Sequence, residues 1–151
     1  MREAALQTLG ELEPAALAQY GAALAAKLED DDEDVRKAAV QTLGKLEPAA
    51  LAQYGAALVA RLEDSDGRVQ IAARLPMHKL EPAAGHMDAV AAKLEDDDEN
   101  VRETAVETLG ELDLASLAQY EQALDEAAVE DEDENVRRAA AKVLVKLRAG
   151  N

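Results

Sequence analysis

The chain contains no cysteine, tryptophan or phenylalanine, and three tyrosines supply all of its Phe, Trp and Tyr content. Without cysteine it can form no disulfide, thiolate metal site or cysteine nucleophile. Serine occurs only as Ser65 and Ser116, and the sequence has no glycine-rich phosphate loop. We therefore expect a protein that is not an enzyme and that binds no cofactor and no metal.

Long apolar runs and basic residues are also scarce. No stretch approaches the ~18 residues of a membrane span, and the N-terminal sequence MREAALQTLGELEP is too charged for a secretory signal. The 32 acidic side chains outnumber the 16 basic ones, and the formal charge of −16 would repel nucleic acid. We expect a soluble protein, with the cytoplasm as its default location and no membrane or nucleic-acid partner. A basic protein partner fits this charge, and solubility alone is the alternative explanation.

Repetition is what the sequence has in abundance. Four related acidic strings, LEDDDEDVR, LEDSDGRVQ, LEDDDENVR and VEDEDENVR, begin at Leu28, Leu62, Leu94 and Val129. The valines they contain, at positions 35, 69, 101 and 136, are 34, 32 and 35 residues apart, which is the length of one helical hairpin. The spacing predicts one all-α domain over residues 1–151, with a lone helix over 1–12 and hairpins over 13–46, 47–80, 81–112 and 113–149. That makes about nine helices.

Each hairpin combines two helix patterns, here named A and B. The A pattern, PAALAQYGAALVARLE from Pro48, has proline in its first turn, and the B pattern is VRKAAVQTLGKL from Val35. Residues 1–12 repeat the B pattern. The predicted buried residues are Leu51, Tyr54, Leu58 and Leu62 on the A helix, and Val35, Ala38, Ala39, Thr42, Leu43 and Leu46 on the B helix.

The acidic strings can be interpreted as helix caps or as metal loops. An aspartate stands three residues before each repeat valine, where a B helix needs an N-cap acceptor: Asp32, Asp66, Asp98 and Asp133. A calcium loop of the EF-hand kind needs a spacing of oxygen ligands that is absent, so we favour caps. The arginines beside the valines are Arg36, Arg68, Arg102 and Arg137. We expect them to form partly exposed ion pairs with aspartates of neighbouring units, each worth about 0.5 kcal/mol.

The pattern D-x-x-V-R-x-A-A, followed by L-G-x-L, resembles the HEAT-like repeats of the phycobilisome-lyase type. The resemblance implies a right-handed α-solenoid with B helices on the concave side and A helices on the convex side. It also implies a protein-binding scaffold, since most members of this family are scaffolds. A bilin lyase or chromophore carrier is the alternative function that the resemblance raises.

The B helix of the second full hairpin, RVQIAARLPMHKL from Arg68, differs most from the others. Ile71 and Leu75 replace the polar Lys37 and Gln41, and Pro76 should end the helix near Leu75. The apolar pair could be an exposed binding site, or it could repack inward with Met77, and we favour repacking. The candidate partner-binding residues on the concave side are Lys37, Gln41, Ile71, Leu75, His78, Glu103, Glu107 and Arg138.

Two further expectations concern the histidines and the N-terminal helix. His78 and His86 lack an acidic partner at ligand spacing, so His86 should instead be a half-buried ring at the place of Tyr54. Leu6, Leu9 and Leu12 have no preceding A helix to cover them. We therefore expect either self-association through the N-terminal helix or a chain that is a fragment of a longer repeat array.

Overall fold

The computed structural model describes residues 2–80 and 85–150, apart from the side chain of His78. Its contacts divide the chain into two compact units, Met1–Ala84 and Gly85–Asn151. The described residues form helices and turns without a strand, and none of their helices is long and apolar enough to cross a lipid bilayer. The prediction of an all-α chain is therefore confirmed.

In the first unit, the A helices consist of short α-helical segments separated by 3-10 turns, whereas each B helix begins as one α-helix. In chain order the elements are α1 (Arg2–Leu9), α2 (Pro14–Leu17), a 3-10 turn at Ala18–Tyr20, α3 (Gly21–Ala26), a 3-10 turn at Lys27–Glu29, α4 (Glu33–Leu43), α5 (Pro48–Leu51), a 3-10 turn at Ala52–Tyr54, α6 (Gly55–Ala60), a 3-10 turn at Arg61–Glu63, α7 (Gly67–Arg74) and a 3-10 helix at Leu75–Lys79. Proline occupies the first turn of α2 and of α5, as predicted.

The second unit repeats this plan. Its elements are α8 (His86–Ala91), a 3-10 turn at Ala92–Glu95, α9 (Glu99–Gly110), α10 (Leu114–Leu117), a 3-10 turn at Ala118–Tyr120, α11 (Glu121–Glu130) and α12 (Glu134–Ala149). When each 3-10 turn is joined to its α-helical neighbours, the described residues of the two units make nine helices. The B helices are α1, α4, α7 with its 3-10 extension, α9 and α12.

The capping prediction is confirmed for all four acidic strings. Asp32, Asp66, Asp98 and Asp133 are the N-cap residues of α4, α7, α9 and α12. Each side chain accepts a hydrogen bond from the backbone N–H two residues later, at 3.0, 2.9, 2.8 and 2.8 Å respectively. These bonds satisfy donors that the first helical turn leaves open, so the acidic strings stop one helix and start the next.

The predicted buried residues form the core of the first unit. All six residues of the α4 pattern are buried, and so are Leu51, Leu58 and Leu62 of the A helix, while Tyr54 is half-buried. The break at Pro76 is also confirmed: α7 ends at Arg74, and proline follows in the 3-10 extension because it has no amide hydrogen to donate.

Adjacent A helices of the first unit approach closely at one glycine. A methyl group on Gly21 would lie 2.8 Å from Cε2 of Tyr54, which is closer than van der Waals contact allows. The glycine therefore lets the tyrosine ring of the next hairpin lie over the start of α3.

The hydroxyl of Tyr120, in the second unit, donates to Asp88 at 2.9 Å. Burial and this bond raise the pKa of Tyr120 to about 12.

Candidate protein-binding surface

Arginine–aspartate pairs join successive hairpins within each unit. In the first unit, Nη1 of Arg36 donates to the carbonyls of Asp30 and Asp31 at 2.9 and 3.2 Å. Its other edge forms a two-bond contact with Asp64 of the next hairpin, at 2.9 and 2.7 Å. The side chains of Arg36 and Asp64 are only 11% and 2% exposed. The expectation of partly exposed pairs is therefore wrong for this contact, because the turn carbonyls and the next hairpin enclose the guanidinium.

The same arrangement recurs in the second unit. Arg102 donates to the carbonyls of Asp96 and Asp97 at 2.7 and 3.1 Å and to Asp131 at 2.8 and 3.1 Å. Both side chains of the Arg102–Asp131 pair are less than a tenth exposed. Burial alone would raise the pKa of Asp131, but its hydrogen bonds with Arg102 and the amide of Asp133 lower it below the usual value.

Two other arginines complete the series. Nη1 of Arg2 contacts both carboxylate oxygens of Asp30 at 2.7 and 2.9 Å, with the arginine side chain largely exposed. Arg68 reaches back to Asp34 at 3.2 Å in an exposed contact, as expected. These pairs hold hairpins together, so Arg36, Arg68 and Arg102 belong to the packing between hairpins. Arg137 instead donates to the carbonyls of Asp131 and Glu132 in its own turn.

Lysines form a second repeated contact, which the sequence reading did not identify. Nζ of Lys45, Lys79 and Lys146 donates to the carbonyl oxygen of Gly10, Gly44 and Gly110 at 2.8, 2.7 and 2.6 Å. Each lysine thus binds the C-terminal end of the preceding B helix within its own unit, where the helix dipole favours a positive charge. In each contact the lysine follows the glycine by 35 or 36 residues, and this recurring spacing was a usable signal in the sequence.

The B helices differ at two positions of each helix, and we call these positions together the outer stripe. They are the residues two and six positions after each repeat valine and the matching residues of α1, and each pair shares a helix face because its members are four apart. The stripe residues are Glu3 and Gln7 on α1, Lys37 and Gln41 on α4, Ile71 on α7 with Leu75 just beyond it, Glu103 and Glu107 on α9, and Arg138 and Lys142 on α12. In this set only the α7 pair is apolar.

That apolar pair is exposed. Ile71 and Leu75 have 60% and 59% of their surface open to solvent, while Met77 is completely buried. The favoured prediction that all three repack inward is therefore wrong for Ile71 and Leu75 and right for Met77. The reason is that α7 continues to Arg74 and Leu75, the first residue of the 3-10 extension, still has α-helical backbone angles, so the B-helix register directs Ile71 and Leu75 outward.

A shallow groove runs beside this pair, between α4 and the end of α7. It encloses about 220 Å³, and its lining is Val40, Gln41, Gly44, Lys45, Ala72, Leu75, Pro76 and Lys79. Gly44 matters for its shape, because a methyl group there would lie 3.3 Å from Cβ of Pro76. The lining contains two lysines and no carboxylate, in a chain with twice as many acidic as basic residues.

The predicted surface residues are divided between the two units. Lys37 is half-buried one turn before Gln41, and both belong to the first unit, as do Ile71 and Leu75. Glu103 is half-buried and Glu107 exposed on α9 of the second unit. Arg138, on α12, is exposed and pairs with Glu134 at 2.6 Å. The side chain of His78 lies outside the described part of the chain. Four of the eight predicted residues are thus described in the first unit, and two of them, Gln41 and Leu75, line the same groove.

Two predictions about single residues and one about ligands can also be compared with the structure. His86 is half-buried at the start of α8, as expected. Leu6 is 5% exposed because α1 packs against α4, whereas Leu12 is 39% exposed, and self-association through α1 stays a prediction. Over residues 2–80 and 85–150, no three His, Asp or Glu side chains are grouped as a metal site would require.

Known proteins share this architecture. The family description for HEAT-like repeats matches residues 1–46, and that for HEAT repeats matches residues 87–150. The chain is thus an α-helical repeat protein of the solenoid class. More narrowly, it is a HEAT-like repeat protein. No curated protein sequence matches it.

Solved structures that are similar to the chain are repeat proteins or engineered proteins. The structure of crescerin, which uses a TOG domain array to regulate microtubules in the primary cilium, has a TM-score of 0.67 and 22% identity over 98% of this chain and 70% of that one. An engineered protein has a TM-score of 0.61 and 20% identity over 99% and 75%. A designed armadillo repeat protein in complex with the peptide (KR)4 has a TM-score of 0.59 and 20% identity over 96% and 74%. At these identities the likeness shows the fold, and a fold of this kind suits protein binding in general.

Proposed function

We propose that the chain is a protein-binding scaffold without enzymatic activity, and that the outer stripe of its B helices is the recognition surface. The observation that carries this proposal is the exposure of Ile71 and Leu75, one helical turn apart, at stripe positions that are polar on the other B helices. Large apolar side chains that a fold leaves in solvent are characteristic of interaction sites.

The division of labour on each helix supports the proposal. Packing between hairpins uses the arginine–aspartate and lysine–glycine contacts together with the apolar core, whereas Ile71 and Leu75 of the stripe are largely exposed. The stripe changes from acidic to basic to apolar from one helix to the next. In repeat proteins, residues that vary among otherwise similar units are free to recognise a partner.

The test compares partner retention by two variants of the whole chain. The immobilised wild type, an Ile71→Gln/Leu75→Gln variant and a Val129→Gln/Val145→Gln variant are incubated with lysate of the source cells. The two valines are a matched control, because they are 76% and 70% exposed but lie outside the stripe. We expect loss of specific partners from the first variant alone. Equal retention by all three proteins would contradict the proposal.

A bilin lyase or chromophore carrier remains the alternative that the family resemblance raised. Visible absorbance of the protein purified from its source distinguishes the two functions, because a bound bilin absorbs visible light and a scaffold alone does not. The proposals of self-association and of a longer parent array are tested by light scattering over a concentration series and by the mass of the native protein.

A further inference from the structure

We propose that the groove between α4 and the end of α7 receives an amphipathic helix of a partner protein, with two apolar side chains one turn apart and carboxylates along its flank. This inference rests on the proposed function and names the chemistry of the partner at the same site. It differs from the expectation of a basic partner, which followed from the total charge alone.

The spacing of Ile71 and Leu75 matches the spacing of side chains on an amphipathic helix. Ile71 and Leu75 project from one face a single helical turn apart, about 6 Å between their Cβ atoms. A helix laid along such a pair presents its own side chains at the same interval, which is how amphipathic helices bind in grooves. The groove beside Leu75 has Val40, Ala72 and Pro76 among its lining residues, so an apolar anchor entering it meets apolar walls.

The rim of the groove carries lysine side chains. Lys45 and Lys79 line the groove, and Lys37 lies on α4 one turn before the lining residue Gln41. The Nζ atoms of Lys45 and Lys79 are hydrogen-bonded to glycine carbonyls, which fixes their positions without neutralising their charge. The cap carboxylates of Asp32 and Asp66, and Asp64 in its pair with Arg36, lie at the beginnings of the B helices, whereas Lys45 and Lys79 lie at their ends. This groove therefore carries positive charge locally although the chain is acidic.

Screening determines which charges a bound segment senses. At about 0.15 M salt the Debye length is about 8 Å, so charges beyond the rim are largely screened while lysines in contact are not. A carboxylate placed next to the rim lysines gains from them, and a basic side chain placed there is repelled. The partner segment that the groove favours is consequently acidic.

The experiment measures binding of three synthetic helical peptides by fluorescence anisotropy at this salt concentration. The peptides share two leucines four positions apart and carry Glu, Gln or Lys at the flanking positions. We expect the Glu peptide to bind about tenfold more tightly than the Lys peptide, since several rim contacts of modest strength add up. The Ile71→Gln/Leu75→Gln variant should lose affinity for all three peptides.

A charge reversal at Lys37 tests the electrostatic part of the proposal. Lys37→Glu should reduce or invert the preference for the Glu peptide, whereas Lys142→Glu, the same change on the stripe of α12, should leave it intact. Tighter binding of the Lys peptide, the absence of a preference, or the absence of any binding would each overturn the inference. The proposed function would still stand in those cases if Ile71→Gln/Leu75→Gln lost its cellular partners. It would fail on its own if that variant kept them.

Discussion

The side chain of Asp32 does one local task, the capping of α4. Its carboxylate accepts the amide of Asp34 at 3.0 Å, and Asp31 next to it is exposed and contributes a backbone carbonyl to the contact with Arg36. Asp32→Ala should therefore lower the free energy of unfolding by about 1 kcal/mol. Asp31→Ala, which keeps its carbonyl, should be nearly neutral. Urea titrations of both variants make the comparison, and equal losses would show that charge rather than capping is responsible.

Asp64 is the residue whose ionisation should be felt most. Burial raises its pKa, but the hydrogen bonds with Arg36 and the amide of Asp66 outweigh burial and bring the pKa below 3.8. A lowered folded-state pKa stabilises the protein above the unfolded pKa, and this stability disappears as the pH falls through the folded value. Asp64→Asn should thus cost about 3 kcal/mol at neutral pH, because it leaves a nearly buried guanidinium without its anion.

The pH dependence separates this pair from the general effect of acid on a chain with many carboxylates. The difference in free energy of unfolding between wild type and Asp64→Asn should be constant above about pH 5 and should shrink below about pH 4. Urea titrations at a series of pH values measure it. A difference that does not change with pH would mean that the asparagine acts through packing rather than charge.

At the scale of elements, α7 and its 3-10 extension carry exposed and fully buried apolar side chains close together in the sequence. Ile71→Gln/Leu75→Gln changes only exposed side chains and should alter the free energy of unfolding by less than about 0.5 kcal/mol per residue. Met77→Ala, only two residues beyond Leu75, should cost about 2–4 kcal/mol because Met77 is completely buried. Thermal and urea melts test this contrast. A large loss in the double glutamine variant would assign the pair to the core.

The sequence predicts some elements of this fold much better than others. Caps, helix starts and the core of α4 follow from local rules, since an aspartate before a helix and an apolar face act within a few residues. The exposure of Ile71 and Leu75 could not be predicted that way, because it depends on where a proline break falls relative to the packing of α7. The burial of Arg36 was missed for a related reason: the groups that enclose it belong to the preceding turn and to Asp64 of the next hairpin, which no pattern within α4 reveals.

The division of each A helix into short segments was equally invisible to periodicity. The breaks come at Tyr20 and Tyr54, where a glycine follows and the next segment starts. An apolar face at helical spacing is the same for a straight helix and for two segments joined by a 3-10 turn. The candidate surface stays a prediction, and Lys45 and Lys79, which line the groove, were not among its eight residues.

The whole molecule carries a formal charge of −16, and its acidic strings concentrate much of that charge in a few turns. Salt should therefore raise the midpoint of thermal unfolding by screening repulsion among these turns. Sodium chloride and calcium chloride at equal ionic strength should act alike if the carboxylates serve as caps. Thermal melts in the two salts decide the matter, and a rise of many degrees in calcium alone would indicate a calcium site instead.

Three kinds of contact that join hairpins in the first unit, arginine–aspartate, lysine–glycine and glycine–tyrosine, occur at matching repeat positions, and this gives the chain a natural increment of length. Suppose that a second copy of residues 13–46 were inserted after Leu46. Arg36 would then meet the copy of Asp30, the copied lysine would reach Gly44, and Gly21 would accept the copy of Tyr20 in place of Tyr54. In the same way, the copy of Arg36 would meet Asp64, the copy of Gly44 would meet Lys79, and the copy of Gly21 would meet Tyr54. Duplication of one whole hairpin should therefore be tolerated, whereas an insertion of half that length would disrupt the contacts between residues on its two sides.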